Sequence, residues 1–362
     1  MMKHVAFAIG SLSGGGAERV VSVWASALAE KGYKVSAIVY SRVEDEYDLN
    51  KNVNIYPIAQ SQQACKNMPM VKRVFRFRKV LKQIKPDIVI SFLPVVQVYV
   101  RYASIGLKHK RVETIRINPW KTEISNSKYY KSWLKCFDKC DHLILQSKDQ
   151  KPFFSEKVQK KAVTIPNPIN ALYLENEKKE YDANSHKIVA AGRLTKQKNY
   201  KMLIDAIKIV QNDYNDVSLS IYGAGELQKE LQDYIDDIGI SNNVKLMGRS
   251  NELHNVYKDF DLYVMSSDYE GLPNALAEAM AIGLPCISTD CQTGPRDLID
   301  DGISGYLTPC GDVKALADKI KETFSLTSDE QRVIGQSARE KIKNFCSEEN
   351  SLKQLINLIE SL

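Results

Sequence analysis

The chain has 362 residues, 44% of them hydrophobic and 26% charged, so it is long enough for two α/β domains with separate cores. Its apolar runs are too short to cross a bilayer as a helix, and the first lacks the features of a secretory signal. The seven cysteines form no CxxC pair, which argues against a disulfide framework or structural zinc and favours a cytoplasmic enzyme.

Charge is distributed unevenly along the chain. Residues 1–180 contain 31 lysines and arginines against 16 acidic residues, whereas residues 181–362 contain 19 against 28. The net charge of +6 therefore combines a first half of +15 with a second half of −9. A basic half indicates an anionic partner such as a phosphate-bearing substrate or a membrane surface. No recognisable nucleic-acid-binding module accompanies the charge, so we expect no nucleic-acid partner.

The first half predicts a parallel sheet with helices between its strands. An apolar strand at 5–9 leads into a glycine loop at 10–16, an amphipathic helix and a second strand. Further buried strands are predicted at 85–93, 111–117 and 140–147. The loop has three consecutive glycines at a helix start, where a backbone can approach a ligand closely. Its spacing matches neither GxGxxG nor a Walker A loop.

Residues 71–85 predict a basic amphipathic helix. They include seven basic and no acidic side chains, with apolar residues at helical spacing: Val74, Phe77, Leu81 and Ile84. Such a helix can lie on an anionic lipid surface. It can equally be a surface helix of the first domain whose apolar stripe packs on the sheet.

A charged segment at 171–186 predicts a linker, after which the order of strand, turn and helix starts again. Strands of this second series are predicted at 187–191, 218–225, 244–248, 261–267 and 284–289. We therefore expect an α/β protein with two doubly wound, Rossmann-like domains that face a cleft, at 1–170 and 187–345. The last segment, 346–362, predicts an amphipathic helix that crosses back onto the first domain.

Two carboxylates lie eight residues apart in the segment YEGLPNALAEAMAIGLP at 269–285. Pro273 suits the first position of a helix, because its fixed φ fits there and its missing N–H is not needed. The helix start can bind a phosphate, with Glu270 before it and Glu278 inside the helix. A nucleoside diphosphate sugar offers groups for all three: sugar hydroxyls, a diphosphate and a ribose. The simpler alternative makes Glu278 an exposed helix carboxylate and Glu270 an ordinary loop residue.

The segment 192–199 follows a predicted strand and opens the next helix. Its cations Arg193 and Lys198 can hold a diphosphate and stabilise charge on a leaving group, although solvated loop charges are the alternative. A glycine-bearing turn at 222–226 fits either a place near the nucleotide or a plain strand-to-helix turn. Asp259 and Asp261 resemble a DxD metal motif, but with no further ligand they make a poor cation site, so we expect no metal.

Together with the two-domain layout, the segments EGLPNALAEAMAIGLP, GRLTKQKN and SGGGAERV resemble the retaining GT-B glycosyltransferases of family 4. The sequence is most similar to bacterial enzymes that build capsule, O-antigen or lipid-linked oligosaccharides. The resemblance implies an acceptor-binding first domain and a nucleotide-sugar-binding second domain. It implies a UDP-sugar as co-substrate, no cofactor, and an acceptor linked to a polyprenyl diphosphate. The expected location is the cytoplasmic face of the plasma membrane, contacted through the basic first domain.

The resemblance also implies roles for individual residues. Glu270 would contact the transferred sugar and Glu278 the ribose. Arg193 and Lys198 would hold the diphosphate in place of a metal ion. Further donor contacts would come from Gly15, Gly16, Gly271, Leu272, Pro273, Asn274 and Arg249. Acceptor contacts would come from Arg116 and Asn118, in a segment that departs from the Ser-Glu-Arg-Asn-Asp-Pro common among relatives. Retention is explained in this family by front-face attack, with the leaving diphosphate helping to deprotonate the acceptor.

Two other functions fit parts of the pattern. A doubly wound fold alone would suit an NAD-dependent oxidoreductase, which predicts a GxGxxG loop with an acidic residue about 20 positions beyond it. Neither feature is found in the sequence. A non-enzymatic, two-lobed sugar-binding protein of the periplasmic kind would expect a secretory signal.

Overall fold

The computed structural model describes residues 2–362, leaving out the side chain of Glu123. The chain forms two compact units. The first contains the residues up to Pro168 together with Glu348–Leu362, and the second contains Ile169–Ser347. Each unit has one parallel sheet, as the two series of predicted strands led us to expect.

The first unit has a seven-stranded sheet in the order β3-β2-β1-β4-β5-β6-β7, parallel throughout. Its elements are β1 His4–Ala8, α1 Gly16–Glu30, β2 Lys34–Val39, β3 Val53–Pro57, α2 Gln62–Lys66, α3 Met70–Ile84, β4 Ile88–Ser91, α4 Pro94–Ala103, β5 Lys110–Ile115, α5 Tyr130–Lys139, β6 His142–Leu145, α6 Glu156–Gln159 and β7 Ala162–Thr164.

Alternate residues of β1 pack on opposite faces of this sheet. Val5 and Phe7 lie in one apolar cluster with residues of α1, whereas Ala6 and Ala8 lie in another with residues of α3 and α4. Both faces are therefore covered, which explains why the strands are continuous apolar runs rather than alternating ones.

The second unit has a six-stranded parallel sheet in the order β10-β9-β8-β11-β12-β13. Its elements are α7 Ala171–Glu175, β8 Lys187–Ala191, α8 Tyr200–Val210, β9 Ser218–Tyr222, α9 Gln228–Asp237, β10 Val244–Gly248, α10 Leu253–Val256, β11 Leu262–Met265, α11 Asn274–Ile282, β12 Cys286–Thr289, α12 Pro295–Leu298, β13 Tyr306–Thr308, α13 Val313–Phe324 and α14 Ser328–Cys346.

The last helix, α15 Glu348–Ser361, packs on the first unit, as predicted. Its residues Leu355 and Ile359 are buried in the cluster that includes α1. Trp24 Nε1 of α1 donates to Ser351 Oγ at 3.0 Å, and that hydroxyl donates to Pro166 O at 3.0 Å. The helix is thus anchored by both apolar burial and hydrogen bonds.

The segment predicted as a linker, 171–186, instead belongs to the second unit. Tyr173 is buried in an apolar cluster of that unit, and Tyr181 Oη donates to Gly283 O at 2.7 Å. Lys178 is only 6% exposed, and its Nζ donates to Lys258 O at 3.1 Å. The charged composition suggested a solvated linker, but two aromatic rings and one buried ammonium tie the segment to the unit.

The basic helix predicted at 71–85 is α3, and Lys85 follows its last turn in a left-handed conformation with φ 46°. Phe77, Leu81 and Ile84 are buried, so the apolar stripe does pack on the sheet. The opposite side of α3 exposes Phe75, an aromatic residue that the predicted stripe did not include. Among the helices within residues 2–362, none has the length and apolarity to cross a membrane.

Candidate active site

The sheet of the second unit changes winding direction between β8 and β11. These strands are neighbours in the sheet although β9 and β10 separate them in sequence. The segment after β8 carries Arg193 and Lys198, and the segment after β11 carries Glu270. Ligands of open parallel sheets bind outside the carboxyl ends of the strands at such a switch point. The topology therefore places both predicted segments where a ligand is expected.

Lys198 and Glu270 form an ion pair at this point. Lys198 Nζ lies 2.6 Å from Glu270 Oε1, and the two side chains are 16% and 9% exposed. Ser267 Oγ donates to the same oxygen at 2.8 Å, and Gln197 Nε2 donates to Oε2 at 3.3 Å. A carboxylate has about four lone-pair sites. These donors thus leave Oε2 able to accept a further hydrogen bond, such as one from a sugar hydroxyl.

The backbone around Glu270 is held by residues that the sequence analysis did not single out. Gln197 Nε2 donates to Tyr269 O at 2.8 Å, and Thr293 Oγ1 donates to Glu270 O. Gly294 has φ 97°, and a Cβ at this position would lie only 2.7 Å from Gly271 O. The sequence signal was a Thr-Gly-Pro triplet that marks a turn. Nothing in its spacing connected that turn with Glu270.

The segment that carries Lys198 is joined directly to the segment that carries Glu270. Asp268 N donates to Gln197 O at 2.9 Å, and Ser266 Oγ donates to Lys198 O at 2.9 Å. Asn199 adopts a left-handed conformation with φ 45° and donates through Nδ2 to Asp268 Oδ1 at 2.9 Å. This network fixes the backbone on both sides of the ion pair.

The glycine-bearing turn at 222–226 supports the same loop. A Cβ at Gly223 would lie 1.8 Å from Gly192 O, and a Cβ at Gly225 would lie 2.3 Å from Leu194 O. Both glycines are therefore required for close approach of two backbone segments. These contacts explain the turn as a packing element, which is the plainer of its two interpretations.

Helix α11 begins at Asn274, so the prediction that Pro273 is its first residue was one position early. Pro273 precedes the helix in an extended conformation, with φ −77° and ψ 96°. Its carbonyl accepts a hydrogen bond from Ala277 N at 3.1 Å. The predicted donor contacts Gly271 and Leu272 form the turn that leads into this helix start.

Glu278 is buried within α11, at 6% exposure. The simpler alternative of an exposed helix carboxylate is therefore wrong. Its charge helps raise the pKa values of Tyr257 and Tyr263 above the usual range, although burial of these two phenols is the main cause. A buried carboxylate is costly unless it has partners.

The two arginines predicted for the donor lie in different places. Arg193 follows β8, and its exposed side chain has no hydrogen-bond or ion-pair partner among residues 2–362, although its carbonyl accepts from Thr195 N at 2.9 Å. Arg249 is also exposed, but it follows the edge strand β10. Two strand spacings separate β10 from β8 in the sheet, or about 10 Å. The topology thus puts Arg193 beside the switch point and Arg249 toward the edge.

The first unit changes winding direction between β1 and β4. Its predicted glycine loop follows β1, with Gly14 at φ 85°, Gly15 as the N-cap of α1, and Gly16 as the first helical residue. A Cβ at Gly15 would lie 2.1 Å from Glu18 Oε2, so the glycine leaves room for that carboxylate. Burial raises the pKa of Glu18.

A cavity of about 260 Å³ opens beside this loop. Its lining comes from several elements of the unit, namely Gly10, Ser11, Glu18, Tyr40, Gln62, Cys65, Lys66, Arg73 and Leu93. Arg73 donates to Tyr99 Oη at 3.0 Å and to Lys66 O at 2.9 Å. Leu93 holds a positive φ of 66°. In the sequence Arg73 is only one of the charges of a basic helix, because its contact with Tyr99 depends on the tertiary structure.

The predicted acceptor residues follow β5 of the first unit. Arg116 Nη1 donates to Asn167 Oδ1 at 2.8 Å, and its guanidinium lies 4.7 Å from the centroid of Trp24. Burial lowers the pKa of Arg116 to about 9. Asn118 is buried, and its Oδ1 accepts from Trp120 N at 2.9 Å, so part of its role is to shape the loop.

Asp261 stabilises the start of β8 through hydrogen bonds. Its Oδ2 accepts from Ser185 Oγ at 2.7 Å and from Lys187 N at 2.8 Å, which holds the start of β8. Within the described part of the chain, no three His, Cys, Asp or Glu side chains are grouped so as to hold a metal ion.

Comparison with known proteins agrees with this architecture. Residues 174–341 match the family described as Glycosyl transferases group 1, and residues 14–171 match Glycosyltransferase Family 4. An uncharacterized glycosyltransferase of Methanocaldococcus jannaschii is 30% identical over 252 residues, which are 64% of this chain and 62% of that protein. A Campylobacter jejuni enzyme is 29% identical over 360 residues, 95% of both chains. Its name is GalNAc-alpha-(1->4)-GalNAc-alpha-(1->3)-diNAcBac-PP-undecaprenol alpha-1,4-N-acetyl-D-galactosaminyltransferase.

A solved structure shows the same fold. The Anabaena protein HepE, crystallised in complex with UDP, superposes with a TM-score of 0.79 at 18% identity, covering 100% of both chains. The family matches decide against the oxidoreductase and the non-enzymatic sugar-binding protein. The two family models match the two halves of the sequence, and each unit has its own parallel sheet. This chain therefore belongs to the family 4 glycosyltransferases and has their GT-B fold of two Rossmann-like α/β units.

Proposed function

We propose that the chain transfers a hexose or N-acetylhexosamine from a UDP-sugar to a saccharide acceptor, with retention of configuration and without a metal ion. The observation that carries this proposal is the Lys198–Glu270 ion pair at the switch point of the second unit. The UDP bound in HepE supports the choice of nucleotide.

The cations of the segment after β8 replace a metal ion in this proposal. Lys198 donates to Glu270, but an ammonium carries several N–H donors, so it can also bind a diphosphate oxygen. Arg193 is exposed without a partner among the described residues and is free to form a bidentate contact with the same group. Together they stabilise the negative charge that develops on the leaving UDP.

The segment after β11 binds the rest of the donor. Glu270 accepts a hydrogen bond from a hydroxyl of the transferred sugar through Oε2, while Lys198 and Ser267 fix Oε1. Backbone groups of Gly271, Leu272, Pro273 and Asn274 line the sugar and phosphates at the start of α11. Glu278 holds the ribose. Arg249, which follows the edge strand β10, lies near the base of the nucleotide.

Retention requires no enzymic nucleophile in this proposal. The acceptor hydroxyl attacks the anomeric carbon from the same face as the departing diphosphate. The bond between the anomeric carbon and the diphosphate oxygen breaks, the acceptor oxygen bonds to that carbon, and the diphosphate oxygen takes up the hydroxyl proton. The Glu270 carboxylate stays a hydrogen-bond acceptor throughout, because Lys198 and Ser267 keep it in place. The expected roles of Gly15 and Gly16 toward the donor stay a prediction.

The first unit binds the acceptor. Its cavity beside the glycine loop is lined by Arg73 and Lys66, and Arg116 adds a guanidinium in the loop after β5. Nε and Nη2 of Arg116 are buried and lack a partner among the described residues, and an anionic group would satisfy them. We infer a polyprenyl-diphosphate-linked saccharide, in line with the PP-undecaprenol acceptor in the name of the Campylobacter relative. The process is assembly of a bacterial surface polysaccharide or glycan.

The outer face of α3 contacts the membrane. Val71 is 79% exposed and Phe75 is 65% exposed, one helical turn apart. The basic side chains Lys72, Arg76 and Lys79 on α3 are exposed as well. Exposed apolar side chains beside lysines and arginines suit the boundary of an anionic bilayer. The enzyme would therefore act as a peripheral protein on the cytoplasmic face of the plasma membrane.

The test is a transfer assay with separately supplied UDP-sugars, a synthetic polyprenyl-diphosphate-linked acceptor, and excess EDTA. The anomeric configuration of the product is read by NMR. Transfer from one UDP-sugar in EDTA, with the donor's anomeric configuration kept, is the expected result. An inverted product, or activity only with added divalent metal, would overturn the mechanism while leaving the family intact.

A further inference from the structure

A second cavity of the first unit lies at the amino ends of the strands. The loops at the winding change between β1 and β4 instead follow the carboxyl ends. The cavity has a volume of about 390 Å³ and sits at the amino ends of β5 and β6, beside the ends of α4 and α5. The lining residues are Arg101, Ser104, Ile105, His109, Arg111, Lys139 and Asp141. None of them belongs to the donor or acceptor residues proposed above.

Two arginines of this cavity have buried N–H groups for which the described residues provide no acceptor. Arg111 is 8% exposed; its Nη2 donates to Cys136 O at 3.2 Å, while its Nε has no partner within residues 2–362. Arg101 Nη1 is likewise buried without a partner in the described part of the chain. Buried donors are nearly always paired in folded proteins. Two such groups beside one cavity indicate a missing acceptor-rich ligand.

The charges around the cavity also favour an anion. Arg101, Arg111 and Lys139 are the cations of the lining, and Asp141 is its only carboxylate among the described residues. The Asp141 carboxylate already has two hydrogen-bond donors, since it accepts from Lys110 Nζ at 3.2 Å and from Arg111 N at 2.8 Å. Glu113 Oε1 lies 3.5 Å from Arg111 Nη2, beneath the cavity. Burial raises the pKa of Glu113 to about 7, so near neutrality it offsets only part of the arginine charge.

His109 does not change the net positive charge of the cavity. Burial lowers the pKa of His109 to about 4, so the ring is neutral at physiological pH, and its Nε2 is hydrogen-bonded with Ser104 Oγ at 2.8 Å. The cavity thus has a positive excess and unpaired N–H donors in a space that fits a phosphate group or two. Phosphate oxygens match guanidinium geometry, since they accept bidentate hydrogen bonds.

We propose that this cavity is a phosphate-binding site, separate from the donor and acceptor sites, that uses Arg101, Arg111 and Lys139. Its ligand is either a free phosphate or pyrophosphate, or the phosphate of an anionic lipid headgroup. Ile105 lines the cavity with 65% of its surface exposed, and its carbonyl accepts from Arg78 Nη1 of α3 at 2.6 Å. The site therefore adjoins the helix that we propose to contact the membrane, although it does not depend on that contact.

The test compares Arg101→Gln/Lys139→Gln with the wild type. Lys139 is exposed and Arg101 is partly exposed. Arg111 is left in place, because its removal would leave Glu113 buried without this cation. Lys131→Gln/Lys157→Gln is the control, because it removes two exposed lysines of the same unit that do not line the cavity. All three proteins are first shown to be folded by thermal melting, and UDP is kept saturating so that the donor site is occupied.

Two measurements distinguish the sources of phosphate. Calorimetric titration with pyrophosphate measures the free anion, and sedimentation with phosphatidylcholine vesicles with and without phosphatidylglycerol measures the headgroup. We expect the double variant to bind one of these probes about tenfold more weakly than the wild type, with the control unchanged. A change confined to the vesicles assigns a lipid headgroup, and a change with pyrophosphate assigns the free anion. If variant and control behave alike with both probes, the proposal is wrong.

Discussion

Lys198 Nζ contacts Glu270 Oε1 at 2.6 Å, and the two residues come from loops that follow different strands of one sheet. The pair joins the cation expected at the diphosphate to the carboxylate expected at the sugar. A group that binds either residue is therefore positioned relative to the other.

Replacing Glu270 by Gln removes the charge and keeps the shape of the side chain. We expect the rate of transfer to fall by about 10²–10³-fold, because a positioned hydrogen-bonding group at the reaction centre is lost. The affinity for UDP alone should change little, since the sugar is absent from UDP. Steady-state kinetics and UDP titration measure the two effects. Glu340→Gln, on the exposed surface of α14, is the matched control and should behave like the wild type.

Arg193 and Lys198 should differ in what their loss does to the free protein. Arg193→Gln should leave the melting temperature unchanged, because the side chain is exposed and has no partner among the described residues. It should weaken UDP binding by about tenfold through loss of a charge-assisted contact. Lys198→Gln should weaken UDP binding and also lower the melting temperature, since Glu270 then keeps a mostly buried charge without its cation. Lys196→Gln, an exposed cation of the same loop, serves as control.

Gly294→Ala should destabilise the turn that presents Glu270. The added methyl would lie 2.7 Å from Gly271 O, at a residue with φ 97°. Gly311→Ala is a matched control, because its φ is also positive, at 75°, but nothing lies within 4 Å of the new methyl. The control should cost about 1 kcal/mol from the backbone alone. Urea unfolding should show a clearly larger loss for Gly294→Ala, and equal losses would contradict the packing of the two turns.

Part of this site was predictable from the sequence, and part was not. Glu270 and Lys198, which the structure brings together, were singled out because a Gly-Leu-Pro turn and a strand-end cation are local patterns that can be recognised without knowing the fold. Ser267 and Thr293 were missed, because they act through tertiary hydrogen bonds that no sequence spacing records. The family resemblance supplied the individual roles, which the residues alone would not have given.

The strands were likewise predicted where a local sequence pattern marks them and missed where it does not. Buried strands such as β1 and β8 were predicted from their apolar runs, whereas β3 was missed because it is half exposed and ends in proline. The short strands β7 and β13 have three residues each, too few for a pattern. The segment 171–186 was misassigned because its composition is charged. Its aromatic contacts with the second unit depend on where the chain folds back.

Glu113 predicts a pH dependence of stability. Burial raises its pKa in the folded protein to about 7, above the value of an exposed glutamate. The unfolded chain therefore loses this proton first as pH rises, so the contribution of Glu113 to stability should fall between about pH 4.5 and 7 and then level off. The total loss is about 3 kcal/mol. Because burial lowers the pKa of His109 to about 4, that ring contributes the opposite slope in both proteins. Chemical unfolding should therefore show the loss as a change in the difference between the wild type and Glu113→Gln across this range, and a constant difference would contradict it.

The membrane contact of α3 can be tested apart from catalysis. Val71→Ser/Phe75→Ser removes two exposed apolar side chains, and vesicle binding should fall by about tenfold or more. Ile303→Ser/Val333→Ser is the control, since these residues are exposed to similar extents in the second unit. Sedimentation with phosphatidylglycerol vesicles measures the difference. Equal binding of both variants would mean that α3 is only a packed surface helix.

The central claim is that the second unit binds a UDP-sugar through the residues around the Lys198–Glu270 pair and α11. It is tested most directly by the melting temperature of the wild type and of Glu278→Gln with UDP, GDP, ADP or NAD. A ligand that binds only the folded state raises that temperature by mass action. We predict stabilisation of the wild type by UDP and a much smaller effect in the variant. Stabilisation by GDP or ADP instead would change the donor, and an equal response of both proteins to UDP would contradict the role of Glu278.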